Sequence, residues 1–593
     1  MCGIFGIVKA EKTPVAEQVL AGLKVLEYRG YDSWGVAVAV GEKIQVSKQI
    51  GKIGAAKVTD LPDSTVGLGH TRWATHGGVT QANAHPHLDC TGTVVVVHNG
   101  IITNYQSLKI ELQTAGHQFK SETDSEVMAH LIEVELATGV LLPIAVRQAF
   151  LKLEGQNALV VFQADGQQLV AVRQGSPLVI GLGRDQQWLA SDPAALVGQA
   201  ERIIYLEDGE LAVLSPQQVT ISSVETGKKR PLRSEALNWT PQALDKGKFA
   251  HFMLKEIQEQ PAILEQVAAV GGLALAPVAE AIRQADQVFL LGCGSAGFAA
   301  AIGAHWLRTL AQIPVQAVVA SEFDTVMPLV TAKTVILALS QSGETMDVLV
   351  PVTAAKAKGA RLVAITNVIG SSLARLADLT VPLLAGPEQA VATTKAFTSK
   401  LAHLALLAEL MSGQLETGQI AVRTASQEMA AMLTPENLAQ AEIFAQSLKT
   451  AEHLYVIGRG TSGLLSAEVA LKFKETAYLH AESLAAGELK HGTLALIEPG
   501  IPCLVLASET EVTASLSAAA EITARGGRVI WLGPTPEATT KIPGEVPFNF
   551  QPAGLLSGLP QLIAMQLTAY YLALIKKIDP DKPRNLAKSV TVG

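Results

Sequence analysis

Val288-Phe289-Leu290-Leu291-Gly292-Cys293-Gly294-Ser295-Ala296-Gly297 reads as a strand, a glycine-rich turn and the start of a helix. The pattern returns 166 positions later as Leu454-Tyr455-Val456-Ile457-Gly458-Arg459-Gly460-Thr461-Ser462-Gly463. Around both copies, short apolar runs alternate with long alanine-rich helical patterns, which signals parallel α/β layers. This half therefore divides into two similar subdomains, 276–430 and 431–593. Strand, Gly-x-Gly-x-x-Gly, helix is also the dinucleotide fingerprint, and Glu322 stands near the place of a ribose-binding acid. Two such loops would imply two cofactors, and the second copy has no matching acid. A nicotinamide protein is thus the lesser reading.

The preceding part has a different texture. Residues 2–240 are rich in strand patterns such as Ala37-Val38-Ala39-Val40 and Val94-Val95-Val96-Val97, with helices expected at 14–27 and 123–138. Ser121-Glu122-Thr123-Asp124 carries N-cap chemistry for the second helix. The polar stretch from Glu225 to Lys248 has linker composition, so 241–275 is read as linker and entry segment. The expected fold is an α+β domain followed by two α/β subdomains with parallel sheets.

The chain opens Met1-Cys2-Gly3-Ile4-Phe5-Gly6-Ile7-Val8. Loss of Met1 would make Cys2 the amino terminus, joining a thiol nucleophile to an α-amine of pKa near ~8 that can act as its base. The run Ile4 to Val8 is a strand that would anchor it. A cysteine there by chance is the plain alternative.

At 593 residues the chain exceeds one core. A net charge of −8 without a basic block argues against nucleic acid and anionic membranes as partners. Cys2, Cys90, Cys293 and Cys503 show neither pairing nor metal-ligand spacing, which fits a reducing cytoplasm and predicts no metal site. The apolar stretch Val288 to Leu307 is broken by Gly292, Gly294, Gly297 and Gly303, and no membrane span is expected. Lys9, Glu11 and Lys12 cut short the first apolar run, so no signal peptide is expected either.

Chemistry concentrates at two places in the second half. After the strand pattern 334–339 come Ser340-Gln341-Ser342-Gly343-Glu344-Thr345 and an amphipathic helix. Three hydroxyls and an amide at a helix N-terminus suit a phosphate. A capping box would need only one hydroxyl. The second repeat has Ser508-Glu509-Thr510-Glu511 at this place, and its two acids would repel phosphate. Glu468, Lys472 and Glu475 share one helix face by their i, i+4, i+7 spacing. An exposed ladder is the ordinary reading. Yet Leu464, Leu465, Val469, Ala470, Leu471 and Phe473 leave little polar surface, so the stripe is expected to point into a site. His480, Glu482, Glu488, Lys490 and His491 add acid–base groups nearby.

Cys2-Gly3-Ile4, Arg29-Gly30-Tyr31-Asp32-Ser33, Arg72-Trp73-Ala74-Thr75-His76-Gly77 and Asn99-Gly100 together resemble the N-terminal-nucleophile glutamine amidotransferases. With the tandem sugar-isomerase (SIS) repeats, the 340–345 loop and the ending 583–592, the whole chain resembles the isomerising glutamine–fructose-6-phosphate aminotransferase family. The resemblance implies L-glutamine and D-fructose 6-phosphate as substrates, D-glucosamine 6-phosphate and glutamate as products, and ammonia passing between two sites. It also implies no cofactor, a cytoplasmic location, and a homodimer or higher homo-oligomer.

By the same resemblance, Cys2 forms a glutamyl thioester, with Asn99 and Gly100 as its oxyanion hole. Arg72 meets the substrate α-carboxylate, Asp124 its α-ammonium, and Thr75 and His76 line the pocket. Trp73 is the gate, and Arg29 supports the Cys2 loop. Ser340, Gln341, Ser342 and Thr345 hold the sugar phosphate, while Ser295, Val391 and Ala392 meet the sugar chain. His491 of a neighbouring subunit opens the ring, Lys588 engages the C2 carbonyl, and Glu475 moves a proton between C1 and C2 beside Lys472 and Glu468. Leu586, Ala587, Val590 and Val592 around Lys588 suggest a tail packed into the protein, where the lysine would be a better nucleophile. Trp34, Ala296 and Gly593 depart from the family, which has a small residue, a second hydroxyl and a glutamate there. The rival reading is a sugar-phosphate-binding module with an attached glutaminase. It would keep the Ser340 loop without needing Glu475, Lys472, His491 and Lys588 together.

Overall fold

The computed structural model describes residues 2–237, 245–534 and 544–590. The chain forms two compact units, Met1–Asp245 with Ala587–Gly593, and Lys246–Leu586.

In the first unit, antiparallel sheets of eight and seven strands pack against each other. Strand parity explains the layers. Ile4 and Val8 enter a core shared with Val95, Val97 and Val160 of the other sheet. Phe5 and Ile7, one step out of phase, pack with Val15, Val19 and Leu23 of the helix Val15–Val25. Val94 and Val96 likewise pack with residues of the helices Glu126–Ala137 and Leu142–Phe150. These strands are buried on both faces, so they read as unbroken apolar runs rather than alternation. The strand Gly3–Thr13 lies between Gln186–Ala190 and Ser64–Arg72, and Cys2 stands at its head.

Both expected helices are present, at Val15–Val25 and Glu126–Ala137. The Ser121–Asp124 hydroxyls do not cap the second one. Instead the Glu126 carboxylate accepts from Lys120 N at 2.8 Å, Ser121 N at 2.7 Å and Ser121 Oγ at 2.7 Å. The helix's own first residue ties down the loop before it.

Among its described residues, the stretch with linker composition holds two short strands. Lys229–Arg230 and Glu235–Ala236 pair as edge strands, where charged side chains are tolerated. The segment 241–275 holds most of a 32-residue helix, Phe252–Arg283. Pro261 and Pro277 inside it mask the helical pattern.

The second unit contains two parallel sheets. One is ordered Val315–Val319, Gln287–Gly292, Thr334–Ser340, Arg361–Thr366, Leu379–Pro382, and the other His480–Ala485, His453–Gly458, Pro502–Leu506, Arg528–Leu532. In both, the first strand in sequence lies between the second and third, so the sequence repeat is a structural repeat. Its glycines serve a tight strand-to-helix turn. A Cβ on Gly292 would lie 2.7 Å from the Ala296 backbone, and one on Gly458 2.5 Å from that of Ser462. Gly294 and Gly460 take φ of +54° and +52°, which favours glycine. Close packing thus accounts for the pattern without a dinucleotide. A single core runs from Met253 through Leu290 and Leu337 to Val456 and Leu572, so the two repeats share it. The helices Phe252–Arg283 and Gly554–Ile575 are long and apolar enough to cross a membrane, but the most apolar stretch of the first is half buried and that of the second mostly buried.

Candidate functional site

Cys2 Sγ sits between main-chain groups of Trp73, 3.3 Å from N and 3.5 Å from O. The Cys2 carbonyl accepts from Arg29 Nε at 3.1 Å and Asn99 Nδ2 at 3.0 Å. Arg29 pairs with Asp192 at 3.1 Å, whose same oxygen accepts from the Tyr28 hydroxyl at 2.7 Å. His70 Nε2 lies 3.1 Å from Asn99 Oδ1 and 3.0 Å from His98 O. Two acceptors at one nitrogen mean that Nε2 carries the proton, which turns the Asn99 amide NH2 toward Cys2. Burial lowers His70 to about 3, so it is neutral. Gly100 follows with φ +138°, and a Cβ there would lie 1.9 Å from Gln156 O. That position admits glycine alone.

Cys2, Arg72, Trp73, Thr75, His76, Asn99, Gly100 and Asp124 line one cavity. Arg72 donates to the carbonyls of His76, Gly77 and Gly78, closing the 72–78 turn around its guanidinium. It therefore shapes the pocket wall as well as charging it. Asp124 is buried, and its Oδ2 accepts from Ile102 N at 2.9 Å. Burial pushes the Cys2 thiol up, while the amino terminus, Trp73 N–H, Arg72 and Arg29 pull against it.

In the second unit, the helix Gly460–Ala477 turns its charged stripe inward. Glu468 and Lys472 are fully buried, and the Glu475 side chain is 15% exposed. Lys472 Nζ lies 3.1 Å from Glu468 Oε1 and donates to Glu475 Oε1, to Thr393 O at 2.9 Å and to Ser295 Oγ at 3.3 Å. Burial pushes Glu468 up to about 7, with Lys472 opposing and Glu475 adding. Burial alone would lower Lys472, but the two carboxylates outweigh it and raise it, so it stays a cation.

Ser340 Oγ accepts from Gly343 N at 3.0 Å and lies 3.3 Å from Thr345 Oγ1. Ser342 Oγ accepts from Glu344 N at 3.1 Å. Thr345 heads the helix Met346–Ala357 with its hydroxyl on Ser340 rather than on the helix's own N–H groups. In the second repeat, Glu511 Oε2 accepts from Ser462 Oγ at 2.5 Å and Ser508 N at 3.4 Å. A carboxylate of the chain itself takes the donors that an anion would need there.

Thus Ser295, Glu468 and Glu475 meet around Lys472, and Val391 and Ala392 adjoin Thr393. Val391 N donates to Asp581 O at 3.0 Å. The groups of Ser340, Ser342 and Thr345 gather in their own loop with Gln341. His491 is exposed at the end of the turn Ala486–His491. Lys588 is half-buried and groups with the first unit. Thr591, Val592 and Gly593 lie outside the described residues. Trp34 is buried in the helix-covered core of its sheet, and Ala296 packs against the core of the second unit. Sequence reasoning missed His70, which stands two positions before Arg72 on the strand Ser64–Arg72. It also missed Thr393, whose contribution is a carbonyl that no side-chain pattern signals.

Residues 70–198 match the glutamine amidotransferase domain, and residues 281–410 and 447–539 match the SIS domain. The isomerising glutamine–fructose-6-phosphate aminotransferases of Pyrococcus horikoshii and Thermococcus kodakarensis are each 40% identical over the whole of both chains. The solved C-terminal domain of glucosamine-fructose-6-phosphate aminotransferase from Francisella tularensis is 29% identical, with a TM-score of 0.51, over 57% of this chain and all of that one. The chain belongs to the isomerising glutamine–fructose-6-phosphate aminotransferase family.

Proposed function

We propose that the chain makes D-glucosamine 6-phosphate and glutamate from L-glutamine and D-fructose 6-phosphate. The observation that carries this reading is Lys472, fully buried against Glu468 and Glu475 with Ser295 and Thr393 in reach, in a chain that also sets Cys2 beside Asn99.

Cys2 attacks the amide carbonyl of glutamine. Its α-amine, freed by loss of Met1, takes the thiol proton and returns it to the departing ammonia. Asn99 Nδ2 and Gly100 N–H steady the oxyanion, each donor worth ~3 kcal/mol. Arg72 keeps further N–H groups for the substrate α-carboxylate while holding the turn that carries Thr75 and His76. Asp124 takes the α-ammonium. Water then releases glutamate from the thioester, and ammonia passes Trp73 to the sugar.

There Ser340, Gln341, Ser342 and Thr345 grip the phosphate, and Ser295, Val391 and Ala392 meet the carbon chain. His491 of a neighbouring subunit opens the ring, and Lys588 engages the C2 carbonyl. Ammonia condenses at C2 with loss of water. Glu475 then removes a proton from C1 and delivers it to C2, leaving the 2-amino aldose. The Lys472 cation steadies that carboxylate, and Glu468 holds Lys472. No step calls for a cofactor. The exposure of His491 on its own chain favours a homodimer or higher homo-oligomer, and a working free thiol favours a reducing cytoplasm.

The test separates the two chemistries. Cys2→Ala should abolish glutamine hydrolysis yet keep interconverting fructose and glucose 6-phosphates. Loss of both activities in a folded variant refutes the division of labour.

A further inference from the structure

The cysteines of this chain show no ligand spacing in sequence, but the fold gathers one of them into a donor set. Cys90 Sγ, two histidine ring nitrogens (His117 Nδ1 and His130 Nδ1) and a Glu133 carboxylate oxygen all lie within 4.8 Å of one another. Cys90 comes from the loop between His87–Leu88 and Val94–Ile102, and His117 from the turn after the helix Tyr105–Thr114. His130 and Glu133 stand one turn apart on Glu126–Ala137. None of the four lines the Cys2 cavity.

We propose that these four side chains form a structural zinc site in the first unit. Zinc binds sulfur at ~2.3 Å and nitrogen or oxygen at ~2.0–2.2 Å, so tetrahedral edges run about 3.6 Å from sulfur to nitrogen and about 3.4 Å from nitrogen to oxygen. Cys90 Sγ lies 3.8 Å from His117 Nδ1 and 3.6 Å from His130 Nδ1. Glu133 Oε2 lies 2.9 Å and 3.1 Å from the same nitrogens. The thiol is already at ligand spacing, and the carboxylate needs to retreat by only a few tenths of an ångström.

The surroundings support the same reading. Gln118 N–H points at Cys90 Sγ from 3.4 Å, and Cys90 N–H at Glu133 Oε2 from 3.3 Å, so both anionic donors are held from behind. The far nitrogen of buried His130 has no hydrogen-bond partner and lies 3.8 Å from Glu126 Oε1. Carboxylate, imidazole, metal is the usual way a ligand histidine is oriented. A thiolate and a carboxylate with two neutral imidazoles carry two negative charges, which one divalent ion cancels. Magnesium and calcium prefer oxygen alone, whereas a closed Cys, His, His, Glu set suits zinc. Such a site clamps three segments at the edge of the core they already share. It also fixes the helix that begins two residues after Asp124.

The test uses the full-length chain without a polyhistidine tag, stripped with a chelator and titrated with zinc or cobalt(II). One equivalent of either should bind. The cobalt form should show the intense visible bands of a tetrahedral site and a thiolate-to-metal charge-transfer band, both erased by zinc. Zinc should raise the melting temperature of the first unit. Cys90→Ser should lose the charge-transfer band, and Cys90→Ser and Glu133→Gln should each weaken zinc binding at least ~10-fold. Circular dichroism of these two variants checks their folding independently of metal. Failure to bind zinc, a cobalt spectrum without the sulfur band, or unchanged affinity in Cys90→Ser would each overturn the proposal and leave a hydrogen-bonded cluster.

Discussion

Replacing Lys472 by methionine would keep its volume and remove its charge. The wild-type ammonium sits 3.1 Å from Glu468, a Coulomb attraction of about 5 kcal/mol at an effective dielectric near ~20. Removing one partner of a buried pair typically costs about 3–5 kcal/mol, because the survivor is left uncompensated. Here the survivor can take a proton. Glu468 already titrates at about 7, against 4.5 when solvated, so folding takes up a proton between those values and stability falls as pH rises through that window. Without Lys472 its folded value moves higher still, and the fall continues above 7. The variant should therefore lose further stability relative to wild type at about 1.4 kcal/mol per pH unit above 7. Hydrogen exchange of the Gly460–Ala477 amides, compared with wild type at pH 6 and pH 8, measures this directly. Phosphosugar isomerisation should be lost, with glutamine hydrolysis intact. Wild-type protection at both pH values would refute the reading of Lys472 as a buried counter-ion.

Glu475→Gln should preserve sugar-phosphate binding and lower isomerisation about 10²–10⁴-fold, since the amide cannot accept the C1 proton. Near-normal turnover would move that role to Glu468 or Glu488. Gly100→Ala puts a Cβ 1.9 Å from Gln156 O at φ +138°, so glutaminase activity should collapse while isomerisation survives. An active variant would show that the strand can yield there. His70, held neutral at about 3 against ~6.5 unfolded, makes stability rise with pH across that window. On its own it should remove about 2 kcal/mol from the first unit at pH 5, and burial lowers His85, His87 and His98 as well. An acid melt flat between pH 6.5 and 4 would contradict this.

What the sequence made legible was local. The tandem strand–turn–helix and the Glu468–Lys472–Glu475 stripe follow from spacings within one or two elements, and both stand in the fold. The Cys2 pocket does not follow from spacing. Cys2 heads a strand of one sheet, Asn99 lies on a strand of the other and Asp124 in the loop before Glu126–Ala137, joined by side-chain hydrogen bonds, and resemblance alone brought them together in sequence. The helix Phe252–Arg283 escaped because prolines interrupt its pattern, and the edge strands at 229–236 escaped because exposed charges suit both an edge and a linker. Cys90, His117, His130 and Glu133 lie in three separate segments, a spread that matches no ligand motif.

The most direct measurement follows the nitrogen. The chain is given glutamine labelled with heavy nitrogen at its amide, fructose 6-phosphate and an excess of unlabelled ammonium. Mass spectrometry of the product should show labelled glucosamine 6-phosphate formed in step with glutamate, and none from Cys2→Ala. Glutamate formed without amino sugar, or product nitrogen drawn from the bulk ammonium, would contradict coupled transfer between the two sites.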